Sequence, residues 1–103
     1  MLTARWQIDA RFGHKQKVID LMQYWLREVG SKAGTGKMDV KLLTGSIGAR
    51  EATIEVNHSV ESLAELEQFF AAIGKNEAHK QWGKDLEPYV VSGSSHWEIY
   101  RVI

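Results

Sequence analysis

Apolar and polar residues alternate strictly at the start of the chain. Leu2, Ala4, Trp6 and Ile8 fall on one side, and Thr3, Arg5, Gln7 and Asp9 on the other. A period of two belongs to a strand buried on one face. From about His14 to Val29 the period changes: Val18, Leu21, Met22, Trp25, Leu26 and Val29 recur at three and four, giving a helix one apolar stripe. Gly30 is expected to end that helix in a left-handed turn. The stretch from Gly30 to Lys37, with Gly34, Gly36, Ser31 and Thr35, reads as the one linker. A second strand sets Met38, Val40 and Leu42 to one face before a turn at Gly45 to Gly48. A third returns with Ala52, Ile54 and Val56 against Glu51, Thr53, Glu55 and Asn57. Ser59 stands where an N-cap is wanted, with Ser62 and Glu65 as an alternative capping box. Leu63, Leu66, Phe69, Phe70 and Ile73 form the next buried stripe, which Gly74 breaks. A further helical piece over 76–86 carries Ala78, His79, Trp82 and Leu86 until Pro88 stops it. The last strand, His96 to Ile103, sets Trp97, Ile99 and Ile103 against His96, Glu98, Tyr100 and Val102.

This order is βαββαβ, which predicts a ferredoxin-like α+β fold: a four-stranded antiparallel sheet, ordered four, one, three, two, with helices on one face. A chain of 103 residues is expected to form a single domain, 1–103. The face opposite the helices gathers Arg5, Gln7, Asp9, Thr53, Glu55, Asn57, His96, Glu98 and Tyr100. Leu43, Tyr100 and Val102 lie among these charges, and a second sheet over them would bury the apolar groups, so a homodimer through the sheet face is expected. Thirteen basic and thirteen acidic residues cancel, leaving no excess charge for phosphate, and no nucleic-acid partner is expected. The lack of cysteine removes disulfides, thiolate nucleophiles and cysteine-based zinc sites. The segment Met1 to Ala10, with Arg5 and Asp9, reads as neither a signal peptide nor a membrane span. A cytoplasmic location without a membrane partner is the expectation. His58, His79 and His96 are dispersed, without metal-ligand spacing, so no metal site is expected.

The length, the strand–helix order and the broken second helix resemble the dimeric α+β barrel superfamily. That group includes antibiotic-biosynthesis-type and haem-degrading monooxygenases, stress-response barrels and NIPSNAP-like proteins. The segment Asn76-Glu77-Ala78-His79-Lys80-Gln81-Trp82 is similar to an A-H-x-x-x segment of the monooxygenases. Tyr89-Val90-Val91-Ser92-Gly93 and Trp97-Glu98-Ile99-Tyr100-Arg101-Val102 resemble the closing strand of such barrels. The resemblance implies a homodimeric barrel that binds a small hydrophobic or aromatic molecule, with cofactor-independent oxygenation as its enzymatic form. A non-catalytic ligand-binding or stress-related barrel is the alternative, and a haem-binding, haem-degrading enzyme is a third. In the haem-degrading branch His79 stands for the histidine that ligates iron, Gln7 stands near an asparagine, and Phe69 or Phe70 near a tryptophan. The longer amide and the missing indole N–H depart from that set. Outside this branch no cofactor is expected.

Oxygenation without a cofactor needs a dry pocket, a base and polar groups that hold a substrate anion. On the barrel-facing side His96, Tyr100 and Gln7 are the catalytic candidates. Arg5 and Asn57 are ligand-binding candidates there, with Phe69, Phe70, His79 and Trp82 at the edge. Trp6 and Trp97 fall by parity against the helices, where core packing accounts for them, as it does for Trp25. Glu55 and Glu98 share a face with Arg5 between them, and an ion-pair network is a simpler account of the three than paired acid–base carboxylates. An open apolar pocket with a buried histidine would favour the enzyme; a chamber plugged by Arg5, Glu55 and Glu98 would favour the non-catalytic barrel.

Overall fold

The computed structural model describes residues 1–103. Its elements are β1 (Leu2–Asp9), α1 (Lys15–Trp25), a short α2 (Ser31–Ala33), β2 (Lys41–Thr44), β3 (Thr53–Val60), α3 (Leu63–Gly74), α4 (Glu77–Leu86) and β4 (His96–Arg101). The sheet is antiparallel and ordered β2-β3-β1-β4. This is the ferredoxin-like arrangement expected from the periodicities. The register places Trp6 opposite Val56 and Trp97, and Gln7 opposite Glu55 and His96. Each face of β1 is thereby continued by its neighbours, because successive side chains point to opposite sides. On the apolar side Ala4, Ile8, Ile54, Val56 and Val60 pack beneath Val18, Met22 and Trp25 of α1 and Leu66 and Phe69 of α3. No helix is long and apolar enough to cross a membrane.

Local expectations are corrected at three points. Gly30 does not end the first helix. A π-helical turn, Leu26–Gly30, follows Trp25 and runs into α2, and Gly34 at φ +107° makes the left-handed stop. Gly30 is right-handed helical, at φ −61°, and its role is space: a Cβ there would stand 2.7 Å from Cζ3 of Trp25 and 3.0 Å from Cγ2 of Thr35. The expected linker is therefore mostly helical, with α2 followed by a 3-10 turn over Thr35–Lys37. Ser59 lies inside β3 opposite Thr3. The cap of α3 is Ser62, whose Oγ accepts from the Glu65 N–H at 3.2 Å, while the Glu65 carboxylate accepts from the Glu61 N–H at 2.7 Å. Met38 precedes β2 rather than belonging to it. It is buried, and its carbonyl accepts from the Ser59 N–H.

Gly74 does end α3, and α4 restarts on a cap of its own. The Asn76 side chain accepts from the His79 N–H at 3.1 Å, which fixes His79 in the first turn of α4.

Candidate functional site

The sequence-derived candidates separate onto the two sides of the sheet. Arg5, Gln7, Asn57, His96 and Tyr100 lie on the side away from the helices, where Arg5, Gln7 and Asn57 are gathered by the Glu55 carboxylate. The Arg5 guanidinium donates to both carboxylate oxygens of Glu55, at 3.0 and 2.9 Å. Gln7 donates to Glu55 at 2.9 Å and to Glu98 at 3.1 Å, and Asn57 donates to Glu55 at 3.3 Å. Hydrogen bonds from Arg5 hold the Glu55 carboxyl below the ordinary carboxylate range against the opposing effect of its burial. The same bonds raise the Arg5 pKa. Arg5 also lies over the Tyr100 ring, 5.2 Å from its centre. The His96 imidazole is half-exposed and 4.0 Å from Glu98. This is the ion-pair network expected of Arg5, Glu55 and Glu98, and it occupies the face on which the chamber was expected.

The cavity is on the other side, between sheet and helices. It measures about 510 Å³ and is lined by residues of β1, β3, β4, α1, α3 and α4. All four tryptophans of the chain line it. Trp6 contacts Trp82 (ring centres 6.4 Å apart), Trp82 contacts Trp25 (5.9 Å), and Trp25 meets Phe69 edge-on at 6.2 Å. Phe69 then neighbours Phe70 at 6.1 Å, and Phe70 meets Trp97 at 5.0 Å. Trp97 sits directly across from Trp6 in the β1–β4 pair, so the two ends of this run of rings lie on neighbouring strands. Parity does set Trp6 and Trp97 against the helices, as expected. There they line an opening instead of filling a core. Phe70 and Trp97, both partly exposed, stand at its edge.

Of the four ligand-binding candidates assigned to the edge, Phe69, Phe70, His79 and Trp82 all line this cavity. Trp82 is buried and donates its indole N–H to the Leu21 carbonyl at 2.8 Å, which ties α4 to α1. The His79 ring stacks on Trp82, with centres 5.6 Å apart and planes 27° apart. Its Nδ1 accepts the indole N–H of Trp25 at 2.9 Å. Partial burial lowers the His79 pKa, so the ring is held in the neutral form.

Sequence reasoning missed His58 as a member of the site. It is 2% exposed and lines the same cavity. Its Nδ1 lies 3.3 Å from the Ala4 carbonyl, and burial lowers its pKa. The signal was available: Ile54, Val56, His58 and Val60 share one face of β3, and His58 is the polar member of that stripe.

The donor set does not fit haem through His79. An indole nitrogen only donates, so the bond from Trp25 makes His79 Nδ1 the acceptor and leaves the ring proton on Nε2. Axial ligation through Nε2 would need a lone pair at that atom.

No protein-family profile matches the sequence, and a search of curated proteins finds no relative. Solved structures do match. A NIPSNAP family protein from Agrobacterium tumefaciens aligns at TM-score 0.82 and 13% identity, over 99% of this chain and 92% of the other. An uncharacterized NIPSNAP domain protein from Burkholderia xenovorans aligns at 0.75 and 9% identity, over 100% and 95%. This chain has their fold. A Caulobacter crescentus protein assigned as an antibiotic biosynthesis monooxygenase shares it at TM-score 0.70 and 16% identity, over 99% of this chain and 89% of the other. At such identities the ferredoxin-like α+β fold is what carries over.

Proposed function

We propose that this chain is a homodimeric α+β barrel protein of the cytoplasm that binds a small, planar, largely apolar molecule between sheet and helices. One observation carries the reading: the four tryptophans, with Phe69 and Phe70, line a cavity of about 510 Å³ as a run of ring contacts from Trp6 to Trp97. Pockets for small molecules are commonly about 300–1,000 Å³ and mostly apolar. Aromatic walls favour a planar aromatic guest, since each ring pair adds about 0.5–1.5 kcal/mol beyond area burial. The polar face, with its network and the exposed Leu43 and Tyr100, is left for the second subunit.

Cofactor-independent monooxygenase activity is the second reading, and His58 favours it. A buried, neutral imidazole in an apolar site is a suitable base for forming a substrate anion. The fold shared with the Caulobacter protein supports the same reading. In this reading the reacting side is the helix side, and His96, Tyr100 and Gln7 belong to the dimer face.

Each tryptophan carries one indole N–H, so the site can be observed directly by proton–nitrogen NMR. Titration with 2-naphthol or 2-methoxynaphthalene is expected to move the indole signals saturably, with little change at the backbone amides of Glu55 and Glu98. Indole signals that stay fixed at millimolar probe would end the binding reading. Oxygen uptake with electron-rich aromatic substrates then separates enzyme from binding protein.

A further inference from the structure

We propose that His58 selects the occupant of this cavity by accepting a hydrogen bond from it, so that the ligand is a neutral planar aromatic molecule whose buried end carries an O–H or N–H. This rests on the binding reading above and names the chemistry of the same site.

A carbonyl oxygen only accepts, so the contact between His58 Nδ1 and the Ala4 carbonyl places the ring proton on Nδ1. Nε2 is then left with a lone pair. That atom is buried and has no hydrogen-bond partner in the protein. Buried polar atoms are nearly always paired, because leaving one unpaired costs its full desolvation.

The rings against His58 are Phe69, at 5.4 Å between centres, and Trp97, at 5.5 Å. The other indole donors around the cavity are committed elsewhere: Trp6 to Ser95 Oγ, Trp25 to His79 and Trp82 to the Leu21 carbonyl. Nε2 is covered in this structure, so a donor from the occupant would reach and satisfy it as the partly exposed Trp97 ring gives way.

Charge narrows the ligand further. Glu87 is the one lining residue with a formal charge, and it is exposed. An anionic ligand would meet this carboxylate and find no cation. With His58 and His79 both neutral, the cavity suits an uncharged guest.

Two probes of nearly equal shape isolate the proposed bond. The hydroxyl of 2-naphthol can donate to His58; the ether oxygen of 2-methoxynaphthalene cannot. Both oxygens can accept from His79, so that contact cancels. In an apolar cavity with no acceptor the ether should bind better, since burying an unpaired hydroxyl is costly. With His58 as acceptor, 2-naphthol is expected to bind about tenfold more tightly than the ether, and 2-naphthoate more weakly than either. His58→Phe should keep ether binding and lose the preference for the alcohol.

A folding defect in that variant is circumvented in the wild-type protein by imidazole nitrogen shifts. Naphthol should move the His58 Nε2 signal away from its unbonded position, and the ether should not. Ether binding as tight as naphthol, a preference that survives His58→Phe, or an unmoved Nε2 signal would each overturn the assignment while leaving the cavity reading intact. If neither probe binds, both fall together.

Discussion

Burial lowers the His58 pKa from the ordinary imidazole value of 6.5, and that shift has a sign in stability. As pH falls through 6.5 the unfolded chain takes up a proton that the folded chain resists, so the unfolded state gains. Stability from this group is present in full above the unfolded value and declines as pH drops toward the lower folded one. Each group of this kind contributes a slope of at most about 1.4 kcal/mol per pH unit. His79, less buried, acts in the same direction. Denaturant midpoints should be level between about pH 8 and 7 and fall below about 6.5, with His58→Phe removing much of the fall. An identical slope in that variant would reject the assignment. Glu55 is the opposite kind of group. Its lowered pKa concerns pH values below its ordinary 4.5, outside this window. The Trp25–His79 bond predicts a second outcome. A haemin titration should give no saturable Soret shift that His79→Ala removes, because the ring proton occupies the nitrogen an iron ligand would need.

The joint between α1 and α2 is where one element's geometry shapes the cavity wall. Gly30→Ala improves helix propensity by up to about 1 kcal/mol. Its Cβ, however, meets the Trp25 ring, which is held among Phe69, His79 and Trp82. Overpacking of this kind costs about 1–3 kcal/mol and should dominate, so the melting temperature falls. Gly83 is the control. It lies inside α4 with open space around it, so Gly83→Ala should be neutral or stabilising by up to about 1 kcal/mol. A Gly30→Ala protein that melts higher than wild type would show that Trp25 moves aside freely. These elements also show what was legible in the chain. The alternation of β1 and the spacing of α3 state which side faces inward, and from that the sheet order and helix layer follow. The π-helical turn was not legible, since a five-residue hydrogen-bond step leaves no periodic mark of its own over a single turn. Nor was the side on which the cavity lies. Trp6 and Trp97 sit at apolar positions whether the space above them is filled or open, and only the distance between packed elements tells the two apart.

On the scale of the whole molecule, one sheet serves two purposes on its two faces. Odd-numbered residues of β1, Arg5 and Gln7, enter the charged network; even-numbered Trp6 and Ile8 line the cavity. The proposed dimer would cover the exposed Leu43 and Tyr100 on the network face, and light scattering at about micromolar protein should then give the mass of a dimer. Leu43→Glu would put a carboxylate directly across from Glu55 in the β2–β3 pair and should yield monomers that still bind 2-methoxynaphthalene. A wild-type monomer would remove the dimer from the reading without touching the cavity. The placement of the cavity edge at Phe70 and Trp97, on the helix side, has a kinetic consequence. Two subunits joined through their network faces would carry their cavities on outward-facing sides, so a guest could enter and leave either one while the pair stays assembled. Its residence time should then be independent of protein concentration, and filling one site should leave the exchange rate of the other unchanged.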